Sequence, residues 1–259
     1  MSIKALFLDL DCTLYDWERR RYDPDGISAL KEAQMKGVLL FLCSSRPYDS
    51  MKEFGVYSLG IHWDGFVGNS GGVACLGKKI IYEESLKPAS VRKALRLGKK
   101  MGFMAQIHAP FSRYYTDEPN GYFEEYAKSF NEPFANVHPY RGGKVICLLA
   151  FAPEAADEAL KEALPECSFF RFHPFALEIN AKPHSKGTGI AAMLKYLGIA
   201  PEEAAGFGDD YADIGMKEGL AHFIAMGNGR EEVKAEAEFV TKRIEEGGMR
   251  AGLEYLGVI

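Results

Sequence analysis

The sequence predicts an α/β protein: a doubly wound, Rossmann-like core on a parallel sheet, with a second, α+β domain inserted into it. Short apolar runs without polar alternation recur toward both ends of the chain and alternate with segments of helical spacing. This pattern is typical of buried parallel strands and their crossover helices. Several of the runs end in polar or acidic side chains. The alternation stops in the middle third, which indicates the insertion.

The first apolar run begins at Ala5 and leads into two carboxylates, Asp9 and Asp11, which are spaced by one residue. Side chains at i and i+2 of a strand share a face, so the two acids should point the same way. Buried acids on one face repel each other and resist ionisation unless a cation lies nearby. We interpret the pair as a functional site at the carboxyl end of a strand.

In the first third, the patterns predict the following elements in order: a helix over 27–36, a buried strand over 38–43, a helix over 47–53, a short strand over 65–67 and a β-hairpin over 73–82. Gly37 suits the end of the first of these helices, and Pro47 suits the start of the second. The strand over 38–43 ends in Ser44, Ser45 and Arg46, so polar groups again follow a buried strand.

The middle third has an α+β pattern, unlike the two flanks. The predicted elements are a helix over 89–100, strands over 103–109 and 144–152 around an aromatic segment, a helix over 154–164, and strands over 167–173 and 175–181. Pro88 and Pro183 lie near the borders of this region. We therefore assign residues 1–82 and 184–259 to the core and residues 83–183 to an inserted domain.

The core alternation then resumes. The predicted elements are a helix over 186–197, a strand over 204–207, a short helix over 214–219, a strand over 222–226, a helix over 230–237, a strand over 239–241 and a helix over 247–256. The strand over 204–207 leads into Asp209 and Asp213. Ligands of open α/β sheets bind outside the carboxyl ends of the strands. Asp9, Ser44 and Asp209 should therefore meet at one edge.

Asp9, Asp11, Asp209 and Asp213 form an all-oxygen acidic set, and such a set suits Mg²⁺ better than zinc. Lys186, at the start of a helix, could offset negative charge on a phosphate. The Ser44 hydroxyl and the Ser45 N–H could donate to phosphoryl oxygens, which fits phosphoryl transfer.

A carboxylate can also act as the nucleophile. We expect Asp9, nearest the metal and Lys186, to stay ionised and Asp11 to carry the proton.

Four motifs resemble those of the haloacid dehalogenase-like (HAD) superfamily. They are Asp9-Leu10-Asp11-Cys12-Thr13, Ser44-Ser45-Arg46, Ser185-Lys186-Gly187 and Gly208-Asp209-Asp210-Tyr211-Ala212-Asp213. Each alone is weak, but the four in order cover the whole core. The insertion between the second and third motifs resembles the class IIB cap of the Cof-type subfamily.

This resemblance implies Asp9 as nucleophile, Asp11 as acid–base, and Ser44 and Lys186 as phosphate ligands. It implies Mg²⁺ held by Asp9, the Asp11 carbonyl and Asp209, with Asp213 in support. It also implies hydrolysis of a small phosphate monoester, commonly a sugar phosphate, with the cap selecting the substrate.

Two residues depart from the family pattern. Cys12 and Ser45 each replace a glycine. The turn after Asp11 must therefore accommodate a Cβ.

Asn69, Arg46 and His184 are candidate substrate contacts. A phosphotransferase or mutase would share every core motif, and a catalytically silent phosphate-binding module remains open because of Cys12. A dehalogenase typically lacks the second acid. Gly187-Thr188-Gly189-Ile190-Ala191-Ala192 also fits a dinucleotide fingerprint, but that reading leaves Asp9 and Asp11 without a role.

The charge, the cysteine pattern and the apolar runs of the chain limit the classes of partner and cofactor that we expect. The net charge is −5 and no basic stripe occurs, which argues against nucleic acid. The five cysteines include no CxxC pair, so a zinc site or a disulfide framework is not expected. The apolar runs are too short to span a bilayer and no signal-like segment occurs, so we expect a cytoplasmic protein without a membrane partner. The oligomeric state and the particular phosphorylated metabolite stay open.

Overall fold

The computed structural model describes residues 2–130, 134–182 and 184–259. Pro183, which the sequence places near a domain border, lies outside the described residues. The chain forms two compact units. The first unit comprises Met1–Arg46, Ser50–Tyr82 and Ser185–Ile259, and the second comprises Pro47–Asp49 and Glu83–His184.

The strands are, in chain order, β1 Ala5–Leu8, β2 Tyr15–Asp16, β3 Arg21–Tyr22, β4 Leu39–Cys43, β5 Gly65–Gly68, β6 Val73–Leu76, β7 Lys79–Glu83, β8 Met104–His108, β9 Arg113–Tyr115, β10 Cys147–Phe151, β11 Cys167–His173, β12 Ala176–Ala181, β13 Ala204–Gly208, β14 His222–Ala225 and β15 Phe239–Val240.

The helices are α1 Pro24–Met35, α2 Tyr48–Glu53, α3 Pro88–Met101, α4 Gly121–Phe130, α5 Asp157–Ala163, α6 Lys186–Leu197, α7 Tyr211–Ile214, α8 Glu231–Glu236 and α9 Gly248–Tyr255. None of them, across the described ranges, has both the length and the apolar character to cross a membrane.

The first unit is built on an eight-stranded sheet in the order β15-β14-β13-β1-β4-β5-β6-β7. The six strands from β15 to β5 are parallel, and β6 runs antiparallel to β5. β1 lies in the middle, and all four of its side chains are fully buried. Its apolar residues therefore contact layers on both faces of the sheet. The predicted α/β class with a large parallel sheet is confirmed.

Two local elements were not predicted. Residues 15–22 form a small antiparallel hairpin of β2 and β3, in a polar and charged stretch for which the sequence predicted no element. The rings of Tyr15 and Tyr22 contact each other edge to face across the two strands, with centroids 5.1 Å apart, and this pair stabilises the hairpin. α4 lies within the segment that the sequence showed only as aromatic, since its Phe and Tyr side chains mask the helical spacing.

The second unit is built on a five-stranded sheet in the order β11-β12-β10-β8-β9, with every neighbouring pair antiparallel. One face carries Ile107, Leu148 and Ile179, which pack with Val91 of α3 and Leu160 of α5. The other face is covered in part by α4. Strand alternation thus gives the sheet one largely apolar face and one mixed face.

His108 ends β8 on the mixed face and is buried. Its Nε2 lies 2.7 Å from Oε1 of Gln106. Burial, together with the positive charge of Arg113, lowers the pKa of His108 to about 3. The imidazole is therefore neutral in the folded protein at neutral pH.

We expect acidification to destabilise the protein through His108. Because its pKa in the folded state, about 3, is below the ordinary value of 6.5, the unfolded chain binds the proton more readily. This contribution to stability is complete above pH 6.5 and is lost as the pH falls toward 3. Between pH 7 and pH 5 the loss should be about 2 kcal/mol. Urea unfolding should show this loss in the wild type and its absence in H108Q.

The exposed His62 supplies the control, and H62Q should keep the pH dependence of the wild type. An H108Q protein that loses as much stability as the wild type on acidification would contradict the expectation.

Candidate active site

Lys186, the first residue of α6, places a buried ammonium group between two carboxylates of the first unit. Its Nζ lies 2.6 Å from Asp9 Oδ1 and 2.5 Å from Asp213 Oδ1. The Lys186 side chain is 3% exposed. Burial opposes its charge, but Asp213 and Asp9 outweigh that effect and hold the pKa of Lys186 well above its usual range. Three motifs that are far apart in sequence therefore meet at one atom.

Both carboxylate oxygens of Asp213 accept hydrogen bonds, which fix the side chain in place. Oδ1 accepts from Lys186, and Oδ2 accepts from the backbone N–H groups of Asp209 at 2.9 Å and Asp210 at 3.0 Å. Gly208 makes room for this arrangement, since an added Cβ there would lie 2.4 Å from the Asp213 carboxyl carbon. Asp213 therefore positions Lys186 and the loop that carries Asp209.

Asp209 and Asp9 complete an acidic group with Asp213. One carboxylate oxygen from each lies within 4.8 Å of those of the other two. Asp209 also accepts a hydrogen bond from the Thr13 hydroxyl at 3.1 Å. Burial, followed by the charge of Asp213, raises the pKa of Asp9 to about 8. Burial and the charge of Asp9 raise the pKa of Asp209 to about 9.

With all three carboxylates ionised, this group would carry an excess of two negative charges over its one ammonium, and the raised pKa values of Asp9 and Asp209 reflect that repulsion together with burial. That excess and the all-oxygen donor set match a divalent cation of the Mg²⁺ type.

Asp11 is held in a separate ion pair with Arg46. The guanidinium donates from Nε to Oδ2 and from Nη2 to Oδ1, both at 2.8 Å, and Trp17 Nε1 donates to Oδ1 at 2.9 Å. Burial alone would raise the pKa of Asp11, but Arg46 and Trp17 outweigh it, so the pKa lies below its usual value.

The protein's own groups give the acid pair pKa directions that run opposite to the expected order of protonation, and the roles of Asp9 and Asp11 stay a prediction. Asp11, predicted to carry the proton, is the acid whose ionised form is stabilised. Asp9, predicted to stay ionised, has the raised pKa. The reason is Arg46, which was predicted only as a substrate contact.

A cluster of aromatic side chains packs beside the ion pair of Asp11 and Arg46. The Arg46 guanidinium lies 4.0 Å from the centre of the Phe54 ring, and Phe54 in turn contacts Trp17 and Tyr15 edge to face at 5.4 and 5.3 Å. Trp17 and Phe54 were not predicted as parts of the site. The sequence offered one signal, a tryptophan within a charged stretch only six residues beyond Asp11.

The loops after β4 and β5 brace each other through their backbones. Ser70 N–H donates to the Ser44 carbonyl at 3.2 Å, and Asn69 N–H donates to the Arg46 carbonyl at 3.1 Å. The Ser44 hydroxyl accepts from Arg46 N–H at 3.2 Å. Ser44 and Asn69 are both buried, whereas Ser45 between Ser44 and Arg46 is half-buried. Asn69 therefore shapes the loop that presents Ser44.

The turn after Asp11 requires a left-handed residue. Cys12 has φ of 57°, in the region that favours glycine. Its N–H donates to the Tyr15 carbonyl at 2.9 Å, and its carbonyl accepts from Asn228 Nδ2 at 2.7 Å. Asn228 Oδ1 also accepts from the Ile244 N–H at 3.0 Å, so this side chain ties two loops together. The turn accommodates the extra Cβ because it is held at both ends.

Gly187 and Gly189, in the stretch that also fits a dinucleotide fingerprint, allow α6 to pack closely against its neighbours. An added Cβ at Gly187 would lie 2.2 Å from the Gly215 carbonyl oxygen, and one at Gly189 would lie 2.6 Å from Val67 Cγ1. Ser185 caps the helix, since its hydroxyl oxygen accepts from Thr188 N–H at 3.3 Å. The two glycines thus allow the first turn of α6 to reach the sheet and bring Lys186 to Asp9.

His184 precedes this turn and is half-buried, and it falls in the second unit. Its role as a substrate contact stays a prediction.

A comparison with known families decides what this arrangement is. The family model for haloacid dehalogenase-like hydrolases matches residues 6–253, nearly the whole chain. The chain belongs to the haloacid dehalogenase-like hydrolases. The family recognised from the four motifs is confirmed.

Relatives of this hydrolase match it from end to end. YkrA of Bacillus subtilis, which is named as a presumed phosphatase, is 26% identical over 261 residues and covers all of both chains. Phosphoglycolate phosphatase 1 of Saccharolobus solfataricus is 26% identical over 256 residues, covering 98% of this chain and 96% of its own.

Solved structures agree with this match. A hypothetical protein of Geobacillus kaustophilus has a TM-score of 0.91 at 27% identity, with full coverage of both chains. The subclass IIB sugar phosphatase BT4131 has a TM-score of 0.84 at 28% identity and covers 99% of this chain and 100% of its own. The prediction that this hydrolase is a phosphoric monoester hydrolase, a HAD-like phosphatase, is confirmed at the level of the family.

We expect Gly187→Ala to lower the free energy of unfolding of this hydrolase by about 1–3 kcal/mol, the usual range for overpacking. The new Cβ would meet the backbone of Gly215 at 2.2 Å, so α6 would have to shift. Urea unfolding followed by circular dichroism measures the difference.

Gly121→Ala is the matched control, because it also lies at the start of a helix and its added Cβ meets nothing within 4 Å. Equal stability of the two variants would show that α6 does not depend on close approach at Gly187.

Proposed function

We propose that this hydrolase is a Mg²⁺-dependent phosphatase that cleaves a small phosphate monoester, a sugar phosphate or a similar phosphorylated metabolite, through an aspartyl-phosphate on Asp9. The observation that carries the proposal is the buried contact of Lys186 with Asp9 and Asp213, beside Asp209. A group of three carboxylates and one ammonium at the carboxyl ends of parallel strands favours a cation and a phosphoryl group as its ligands.

The residues present fit a magnesium ion. Asp9 and Asp209 would offer carboxylate oxygens to the ion, and Asp11 its main-chain carbonyl. Asp213 would hold Lys186 and the Asp209 loop in place rather than bind the ion, because both of its oxygens already accept hydrogen bonds. When bound, Mg²⁺ would neutralise the excess charge and stabilise the charge that develops on the phosphoryl oxygens.

In the first step, an Asp9 carboxylate oxygen attacks phosphorus and the bond from phosphorus to the leaving oxygen breaks. Asp11 donates a proton to that oxygen, so an alcohol leaves. In the second step, a water oxygen attacks phosphorus, Asp11 accepts the water proton, and the Asp9 carboxylate is regenerated with release of phosphate. The Ser44 hydroxyl and one N–H of Lys186 hold phosphoryl oxygens throughout.

The ion pair between Arg46 and Asp11 affects whether Asp11 carries a proton. In the paired form observed, Asp11 is ionised and ready to accept a proton from water, as the second step requires. Donation in the first step requires that this pair loosen, so that Asp11 enters the cycle protonated. Arg46 thus acts on the acid–base residue rather than on substrate.

The insertion over residues 83–183, which makes up most of the second unit, is proposed as the cap that selects the leaving group. Relatives that match the whole chain include enzymes named for phosphoglycolate and for sugar phosphates, and their matches include the inserted unit. Leaving-group choice is thus the property in which these relatives differ. We assign it to the insertion because the phosphoryl site is accounted for by the first unit.

Asp9→Asn should reduce hydrolysis of p-nitrophenyl phosphate by about 10³-fold or more, because the amide is a poor nucleophile. Release of inorganic phosphate measures turnover, and acid quenching with labelled substrate should trap phosphate on the wild type and not on the variant.

Thermal unfolding checks that the variant is folded, which we expect since Lys186 keeps its contact with Asp213. Turnover close to that of the wild type would remove Asp9 as the nucleophile.

Removal of divalent metal with EDTA should abolish activity, and Mg²⁺ should restore it. Mg²⁺ should also raise the melting temperature of the wild type, because a ligand that binds only the folded state stabilises it. Asp209→Asn should lose most of this thermal shift.

Asp210→Asn is the matched control: Asp210 is the next residue, exposed, and paired with Arg230 at 2.6 Å. A Mg²⁺-induced shift that survives in D209N, or that is lost equally in D210N, would contradict the proposed metal site.

A further inference from the structure

Asn228 lies in the loop after β14 and joins two other loops through its side-chain amide. Nδ2 donates to the Cys12 carbonyl at 2.7 Å, and Oδ1 accepts from the Ile244 N–H at 3.0 Å. A carbonyl can only accept and an N–H can only donate, so these two contacts fix which end of the amide faces which loop. Asn228 therefore links the turn after β1 to the segment that precedes α9.

The loop that carries Asn228 is itself held against the Asp209 loop. Arg230 N–H donates to the Asp209 carbonyl at 3.0 Å. Gly229 lies so close that an added Cβ would come within 3.1 Å of the Asp209 Cα. The backbone of this loop packs on Asp209 while its side chain holds Cys12. Asn228 thus connects the two loops that carry proposed Mg²⁺ ligands.

The peptide bond between Asp11 and Cys12 lies directly before this contact. The Cys12 N–H donates to the Tyr15 carbonyl at 2.9 Å. In a trans peptide the carbonyl points opposite to the N–H, so this hydrogen bond also sets the direction of the Asp11 carbonyl, which is proposed as a Mg²⁺ ligand. Cys12 is therefore held on both sides, by Tyr15 at its N–H and by Asn228 at its carbonyl.

The backbone conformation between these two contacts is one that cysteine disfavours. The φ of Cys12 is 57°, in the left-handed region, where a residue with a Cβ is disfavoured about fivefold or more in population. One hydrogen bond of ordinary strength shifts a population by a similar factor. The contact from Asn228 is therefore large enough to decide whether the turn keeps this conformation. Glycine, which lacks the Cβ, adopts it without such help.

We propose that Asn228 is a positioning residue for the Mg²⁺ site: it holds the left-handed turn at Cys12 and thereby the direction of the Asp11 carbonyl. This role exists because residue 12 carries a Cβ, so the dependence on Asn228 should vanish when residue 12 is glycine. The inference rests on the proposed phosphatase function. It adds a residue that acts through the backbone of the turn rather than on the ion or the substrate.

The test measures Mg²⁺ binding to the purified protein by isothermal titration calorimetry, without substrate. Asn228→Leu removes both hydrogen bonds and should raise the Kd for Mg²⁺ about fivefold. The apparent Kd rises in inverse proportion to the fraction of molecules that hold the binding conformation, and one lost hydrogen bond changes that fraction by about this factor. In a Cys12→Gly background the same substitution should raise the Kd less than twofold.

Asn120 supplies the matched control. Its amide is used in the same way, with Nδ2 donating to the Gly102 carbonyl at 3.2 Å and Oδ1 accepting from the Phe123 N–H at 2.9 Å, but it lies in the second unit. Asn120→Leu should lower the melting temperature as Asn228→Leu does and leave the Kd for Mg²⁺ unchanged. A general loss of stability is thereby separated from a loss of positioning.

Asn228→Asp gives a second test if Asn228→Leu does not fold. The carboxylate keeps the acceptor for the Ile244 N–H and lacks only the donor to the Cys12 carbonyl. Its added negative charge by itself would tighten the binding of a cation. A raised Kd for Mg²⁺ in this variant, relieved by Cys12→Gly, therefore reports the lost hydrogen bond.

Two results would overturn the inference: a Kd for Mg²⁺ in the Asn228 variants equal to that of the wild type, or a raised Kd that Cys12→Gly does not relieve. In both cases Mg²⁺ binding and hydrolysis of p-nitrophenyl phosphate by the wild type would leave the proposed phosphatase function standing. Absence of both from the wild type would instead refute that function.

Discussion

The ammonium group of Lys186, buried against Asp9 and Asp213, is the interaction on which the first unit depends. A lysine this deep in a protein stays charged only if carboxylates compensate it, and here Asp213 and Asp9 do so. The fold meets these demands by ordinary means. β1 and β13 are paired, which sets Asp9 beside the Asp209 loop, and two glycines let α6 come close enough for Lys186 to reach across. The strand pairing and the close approach of α6 are both needed to bring Lys186 to Asp9.

The charged side chains of the candidate site fall into two groups with different charge balance. Asp11 and Arg46 form a charge-balanced pair beside aromatic rings, whereas Asp9, Asp209 and Asp213 group three acids against the single ammonium of Lys186. The balanced region can hold an acid–base group in a set orientation, and the unbalanced region can hold a cation and a phosphoryl group. Two acids only one residue apart on a strand thereby receive different environments, which a phosphoryl transfer through a carboxylate needs.

The sequence predicted the parallel sheet well, because runs such as Ala5–Leu8 have no polar face and can only be buried on both sides. It also predicted that Asp9, Lys186 and Asp209 would meet, since polar groups at strand ends share one edge. It could not predict the partner of Asp11. Arg46 sits in a motif that fits a phosphate loop equally well. Its pair with Asp11 is contacted by Trp17, between β2 and β3, and by Phe54, after α2. Long-range side-chain pairing of this kind leaves no periodicity in the chain.

The left-handed turn at Cys12 has a consequence for how this chain can vary. A residue with a Cβ in that conformation costs about 1 kcal/mol relative to glycine, and the hydrogen bonds from Asn228 and to Tyr15 hold it there. In the genetic code a single base separates the codons of cysteine and glycine. A single base change to glycine would therefore relieve this backbone strain, while the hydrogen bonds of residue 12 with Tyr15 and Asn228 would stay available.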